Sequence, residues 1–322
     1  IKEHILHHLA DSRDFHLFSM NDENGVAQHY GFPLPVILID NGVQFFMSSA
    51  FHHGDVVAES NGNFYKLEHN IIYKGGSADE ELNMVHGHAT NDTPMDFSIT
   101  KSVFSVMVIC IIIFLLFKKV GKGYSTSLVP KGFGKIAEPL VLFVRDEIAI
   151  PNIGKEKHAK FMPYLLTVFF FIWFINLTGL TPLGINVTGN IAVTTALAIL
   201  TFLITNFSAK KDYWKHIFWM PGVPTPMKVI LAPIELLGVL VKPFALLIRL
   251  YANISAGHIV LMSLVGLLFV FQNWFARGAF LSLTVFLSVL ELLVAFLQAY
   301  IFTMLSALYF GMAVEEHDEH AH

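Results

Sequence analysis

The sequence holds 322 residues, 54% of them hydrophobic and only 14% charged, with a mean hydropathy of +0.57 and a formal net charge of −4. Such a composition excludes an ordinary soluble enzyme and places the chain in a membrane. Charge is unevenly spread: the first 100 residues carry 4 Lys/Arg against 14 Asp/Glu, so the front is acidic and the remainder net positive.

Residues 1–97 are polar, acidic and rich in histidine. Short β-like runs, Leu34–Ile39 and Val43–Met47, alternate with turn signals such as Asp40-Asn-Gly42 and Asn61-Gly-Asn63. This predicts a small strand-containing extramembrane region. Its histidines, including His4, His7, His8, His52, His53, His86 and His88, have no acidic or Cys partners at a firm ligand spacing, so they are read as surface residues and no metal site is assigned. The chain opens at Ile1 with no initiator Met and no signal-like apolar segment, the pattern of a mature chain whose signal peptide has been removed or of a truncated one. Cys110, the single cysteine, lies in an apolar run, which leaves neither a disulfide framework nor a Cys-based metal centre.

A membrane domain is expected over residues 98–314. Ser102–Phe117, closed by Lys118-Lys119, is the first span. The loop at about 118–160 has nine Lys/Arg against four acids, which by the positive-inside rule makes it cytoplasmic and the acidic front outward-facing. Within it, residues 137–148 have an apolar stripe beside charges and are predicted to lie on the membrane surface. Phe161–Leu180 and Asn190–Phe207 are the second and third spans, separated by an outer turn at Asn176-Leu-Thr-Gly-Leu-Thr-Pro-Leu-Gly184. Met227–Phe271 would be roughly 65 Å long as a helix, against a hydrocarbon core of about 30 Å, so it must bend at Pro233, Pro243 and Gly257 or tilt strongly. Phe280–Val314 has the same excess length. The polar residues 315–322, with His317, His320 and His322, are read as a solvated cytoplasmic tail. The expected fold is therefore an all-α integral membrane protein of about five hydrophobic helical segments, the last two long and tilted, plus the strand-containing N-terminal region.

Polar residues interrupt the last two segments. Glu235, Lys242 and Arg249 are seven apart, about 700° of helical rotation, and so share one stripe. Snorkelling of Glu235 and Lys242 near the cytoplasmic end is the alternative, and for Lys242 an equal one. Arg249 is deeper, where a cation costs about 2.5–3.5 kcal/mol and cannot shed its proton. Nearby Ala252, Ser255, Ala256 and Gly257 are small enough to admit another helix closely. Glu291 and Gln298, again seven apart, add to Asn253 and His258 a set of residue types suited to relaying protons.

These residues carry a resemblance to subunit a of the F-type ATP synthase, the stationary half of its proton channel. It covers about residues 95–317 and rests on Phe143-Val-Arg-Asp-Glu-Ile148, Pro151-Asn-Ile-Gly154, Lys160-Phe-Met-Pro-Tyr-Leu-Leu166, Asn176-Leu-Thr-Gly-Leu-Thr-Pro182, Arg249-Leu-Tyr-Ala-Asn253 and Leu297-Gln-Ala-Tyr-Ile-Phe302. The resemblance implies that Arg249 is the family's essential arginine, Asn253 the asparagine one turn on, Gln298 the glutamine facing the arginine, and Glu235 the acidic residue toward the inner exit. In some members the His258 position is Glu and the Glu291 position is His; here the pair is exchanged. The acidic front is longer than is usual in the family and inherits no function from it.

The resemblance further implies two half-channels, separated by the arginine, that deliver protons to and from the carboxylates of a rotor ring of small membrane subunits. Peripheral-stalk subunits would be partners, and a catalytic head an indirect one; no nucleic acid and no cofactor is expected. No Gly-rich stretch followed by Lys-Ser/Thr is present, so no nucleotide site is assigned and the chain reads as a non-catalytic subunit of an enzyme complex. The implied location is a bacterial inner membrane, with the N-terminus outside and the C-terminus cytoplasmic. A self-contained proton-coupled secondary transporter is the alternative; it calls for an internal repeat, and none is visible between residues 101–208 and 227–314.

Overall fold

The structure is a computed structural model that describes residues 11–21, 27–54, 56–77, 83–85, 88–124, 129, 131–181, 187–220, 223–271 and 273–315. Contacts divide it into two compact units, the first reaching to Val108 and the second built mainly from Ile109 onward.

Among the described residues, the first unit contains ten short strands, all in antiparallel pairs. β1 (Asp14–Asn21) pairs with β2 (Ala27–Pro33); β3 (Pro35–Ile39) lies between β4 (Val43–Met47) and β10 (Met95–Asp96). A second three-stranded sheet is β5 (Ala58–Ser60), β6 (Asn63–Glu68) and β7 (Ile71–Gly75), and β8 (Met84–Val85) pairs with β9 (His88–Ala89). Turn chemistry sets the registers. Ser60 opposes Asn63 across Asn61-Gly62, both at positive φ (49° and 78°), the geometry of a two-residue type I′ hairpin turn. Alternation along β3 sends Val36 and Leu38 inward to a core shared with Phe51, Ala58, Tyr65 and Ile72.

Several buried polar groups inside this unit are paired, although Arg13 Nε has no hydrogen-bond partner among the described residues. Gln44, 2% exposed, accepts from Ser60 Oγ at 2.8 Å and from Asn61 Nδ2 at 2.7 Å. Asp40 accepts from Lys74 Nζ at 2.6 Å and from the Tyr65 hydroxyl at 3.3 Å, and Arg13 donates to Asp96 and to the Asn70 carbonyl. Helix α1 (Lys101–Tyr124) begins here, with Phe104 packed on Phe15 and Phe32 at 5.6 and 5.3 Å between ring centroids. Among the described residues no group of three or more His, Cys, Asp or Glu could hold a metal ion. His4, His7, His8 and His86 lie outside the described residues, as do the side chains of His53 and His88 and the tail histidines His317, His320 and His322.

The second unit is helical: α2 (Gly134–Phe143), a π-helical turn (Val144–Ala149), α3 (Ile150–Ile153), α4 (His158–Gly179), α5 (Ile191–Ser208), α6 (Lys211–Phe218), α7 (Thr225–Val270) and α8 (Trp274–Val314). Five described helices, α1, α4, α5, α7 and α8, are long and apolar enough to cross a membrane. α7 runs unbroken for 46 residues through Pro233 and Pro243, and α8 for 41. Asn190 caps α5 by accepting from the Ala192 amide at 2.9 Å, and Asn273 caps α8 by accepting from the Phe275 amide at 3.1 Å.

α8 is the centre of this unit, packing against α4, α5 and α7. Its buried side is dominated by small residues, Ala295, Ala299, Ser306, Ala307 and Ala313, which let neighbours approach closely where no hydrophobic force drives helices together. The aromatic side chains of α4 fill the remaining space: Phe169 and Trp173 each meet Phe296 at 5.8 Å, and Phe161 stacks on Phe310 at 4.8 Å. Part of the segment predicted to lie on the membrane surface packs on protein, while Leu142 remains exposed. The π turn holds Arg145, Asp146 and Glu147 exposed while Val144, Ile148 and Ala149 are fully buried, and the turn packs on α4 and α8.

Candidate functional site

Three residues of this chain, 271–273, join α7 to α8, so the two form an antiparallel hairpin. Its register follows from three contacts: Gly257 against Glu291, the Lys242 ammonium over the Tyr309 ring at 5.6 Å, and Val239 with Ala313 in a shared core. Equal rise along both helices then sets Gln298 level with Arg249. Asn253 and His258 lie about 6 and 13.5 Å from Arg249 along the α7 axis in one direction, and Glu235 about 21 Å in the other.

On the first side, a cavity of about 410 Å³ is lined by Asn253, Gly257 and His258 of α7, Glu291 and Ala295 of α8, and Asn176 of α4. The hairpin thus gathers three of the six sequence-derived candidates, Asn253, His258 and Glu291, around one space. One carboxylate oxygen of Glu291, Oε2, is buried and has no hydrogen-bond partner among the described residues, a costly state in an apolar setting. Among the described residues, no ion pair or hydrogen bond joins His258 to Glu291. A buried carboxyl and an imidazole sharing a cavity with two amides form a set able to hold and pass protons or to orient water.

Asn176 was not among the sequence-derived candidates, because it reads as the start of the outer turn. In the structure α4 continues to Gly179, so Asn176 is helical and 4% exposed. Its Oδ1 accepts from the Thr188 hydroxyl at 2.8 Å and its Nδ2 makes a long 3.5 Å bond to the Ala295 carbonyl. The available signal was an amide within one turn of the end of a Phe-rich span, where a polar side chain must find a partner inside the protein.

The other three candidates lie elsewhere. Gln298 is buried (2%) in the packing of α8. Glu235 is half-buried beside α6, where burial and, second, its own carboxylate push the Tyr213 phenol above its ordinary value. Arg249 is exposed on the surface of α7 and makes no ion pair or hydrogen bond among the described residues, although it lies close enough to Tyr309 to act on it electrostatically. The seven-residue stripe is therefore continuous along α7 but not uniform in surroundings.

The family described as ATP synthase A chain matches residues 102–311, about two thirds of the chain. The chain belongs to that family. A separate match, to a domain of unknown function (DUF8433), covers residues 4–97. ATP synthase subunit a of Chloroherpeton thalassium is 43% identical over 253 residues, covering 76% of this chain and 75% of that protein. Subunit a of Myxococcus xanthus is 44% identical over 240 residues, 72% and 78% of the two chains, and ATP synthase subunit a 2 of Prosthecochloris aestuarii is 38% identical over 303 residues, 89% and 92%. Membership places the chain in the membrane sector of the F-type ATP synthase as a multi-pass membrane protein concerned with proton transport, working in a complex with other subunits.

Proposed function

We propose that this chain is the stator of a rotary proton channel, with the Asn253–His258–Glu291 cavity, extended by Asn176, as one half-channel and the Glu235 side of α7 as the other. A proton entering the cavity passes to a carboxylate on a ring of small rotor subunits, which can then turn into lipid. On completing its circuit that carboxylate meets Arg249. The fixed cation favours its ionised form, so the proton departs past Glu235. Arg249 also bars direct passage between the half-channels, since a proton would have to cross a permanent positive charge. Each elementary charge moved releases about 2.3 kcal/mol per 100 mV of membrane potential, and rotation carries that energy to the catalytic head.

The observation that carries this reading is the exposure of Arg249. A guanidinium on the outer face of a long apolar helix, unpaired among the described residues, is tolerable only against a partner bearing negative charge. Gln298 lies level with it on α8 but is buried in the helix packing. The acidic region 1–97 faces outward, the basic loop at 118–160 and the tail 315–322 face the cytoplasm, and residues 98–314 form the membrane domain of a bacterial inner-membrane complex braced by peripheral-stalk subunits.

Arg249→Ala, assembled in the whole complex in membrane vesicles, is expected to abolish ATP-driven proton pumping and to raise passive proton leak. Pumping at the wild-type level would end the proposal. Co-purification of an oligomeric ring of small carboxylate-bearing subunits separates the stator from a solitary secondary transporter, which would move protons alone.

A further inference from the structure

The second unit holds another cavity, of about 190 Å³, away from the α7–α8 hairpin. Its walls come from the last turns of α1 and the entry to α2. Leu116, Lys119, Val120 and Gly123 recur at helical spacing and share one face of α1; Lys131 and Phe133 close the opposite side. We infer that this cavity binds the headgroup of an anionic phospholipid.

Position is the first argument. The apolar run of α1 ends at Phe117 and is followed by Lys118, Lys119 and Lys122, so the cavity straddles the boundary at which acyl chain gives way to phosphate. Leu116 and Val120 supply apolar lining, and Lys119 and Lys131 line the same cavity. The second argument is charge. Neither Lys119 nor Lys131 makes an ion pair among the described residues, and the neighbouring carboxylate, Glu138, accepts from the Tyr124 hydroxyl at 2.8 Å. Basic pockets at such boundaries attract anionic headgroups, at about 1 kcal/mol per lysine near the surface, or about fivefold in affinity.

The third argument is that the cavity is built rather than a crease between loose segments. Phe133 meets Phe117 edge-on at 6.3 Å and Phe174 of α4 at 6.5 Å, and Phe117 packs on Phe170 at 4.7 Å. Gly132 adopts φ +56°, a left-handed turn between Lys131 and Phe133, and all three residues line the cavity. The volume is below the about 300 Å³ at which drug-sized ligand sites begin, suited to a phosphate with its glycerol stub.

The test is native mass spectrometry of the purified complex titrated with phosphatidylglycerol, with phosphatidylcholine as the zwitterionic comparison and glycerol phosphate as the soluble headgroup. The wild type is expected to hold one more phosphatidylglycerol per copy of this chain than Lys119→Gln/Lys131→Gln, whose affinity falls about 30-fold. Gly123→Leu keeps both charges and, because a Cβ there meets open space, keeps its helix; it fills the cavity and weakens binding to a similar degree. Lys118→Gln/Lys155→Gln removes the same charge outside the cavity and leaves binding unchanged. The inference is overturned if the first double variant binds as the wild type does, if the control weakens equally, if Gly123→Leu has no effect, or if glycerol phosphate displaces the lipid at equal concentration.

Discussion

Gly311→Ala should be among the most damaging single-methyl additions in the membrane unit. A Cβ built on Gly311 would lie 1.9 Å from the Asn152 carbonyl oxygen, 3.0 Å from its carbon and 3.6 Å from Ile153 Cα. Ordinary carbon–oxygen contacts are about 3.3 Å or more, so α8 and α3 must part by more than about 1 Å. Neither side can yield cheaply, because the obstructing atoms are backbone: α3 is tied back by the Gly154 amide to Ile150 O at 3.0 Å and by Asn152 Nδ2 to Ile148 O at 2.8 Å. Around Gly311, Ala307, Phe310 and Ala313 are all fully buried. Overpacking of a tight core costs about 1–3 kcal/mol, and this site belongs at the upper end. Gly257→Ala supplies the comparison, since its Cβ would come 2.6 Å from Glu291 Oε1, the end of a flexible side chain. Swinging that carboxyl aside costs about 0.5–1.5 kcal/mol but moves it within the 410 Å³ cavity. SDS-denaturation midpoints and ATP-driven vesicle acidification, measured on both variants, should separate them: Gly311→Ala lowers the midpoint markedly, while Gly257→Ala shifts it little and depresses proton flux. A wild-type midpoint for Gly311→Ala, or equal destabilisation by the two, would refute the packing argument.

Asn176→Leu removes the acceptor of the Thr188 hydroxyl, itself 2% exposed, and should cost about 1–3 kcal/mol while lowering proton flux; Asn176→Asp retains the acceptor and should keep most of the stability, and equal midpoints for the two would count against the role given to that bond. In the first unit, burial and then the Asp40 carboxylate push the Tyr65 phenol from 10 up to about 12. Because the folded value is raised, the stabilisation is complete below about pH 10 and lost as pH rises through about 12. Alkaline titration of the full chain, followed by circular dichroism of its strands, should show a loss in that window that Tyr65→Phe abolishes; an unchanged profile for the variant would remove Tyr65 as its source.

The membrane spans were legible because length and hydropathy alone decide what can cross a bilayer, and the β3–β4 hairpin because Asp40-Asn-Gly42 is turn chemistry between two apolar runs. The excess length of α7 was legible, because its apolar run is too long to cross upright, but whether the chain would break at Pro233 and Pro243 was not; the helix continues through both, with Val239, Leu246, Leu247 and Leu250 buried by tertiary packing around and beyond them. α6 was missed because it is only eight residues long: Tyr213 and Ile217 do recur at helical spacing on one buried face, but two turns are too few to stand out from a loop, and its place is fixed by contact with Val239 and Ala313 far along the chain. The burial of the π turn was hidden for a related reason: an amphipathic stripe states that one side is apolar, not whether lipid or another helix will cover it.

The candidate site divides along the same line. Spacing by seven put Glu235, Lys242 and Arg249 on one stripe of α7, but what covers each position depends on where other helices cross it. Lys242 is half-buried under the Tyr309 ring and Glu235 is half-buried beside Tyr213, whereas Arg249, although near enough to Tyr309 to act on it, is left exposed. Arg249 has neither ion pair nor hydrogen bond among the described residues, and it is exposed. A bilayer would charge such a residue about 2.5–3.5 kcal/mol, and the neighbouring helices could have covered it, as they cover Gln298 at the same level. That they leave it open argues for a negatively charged surface supplied by another subunit, and the unpaired Glu291 oxygen in the adjacent cavity argues for a proton being handled on the way there.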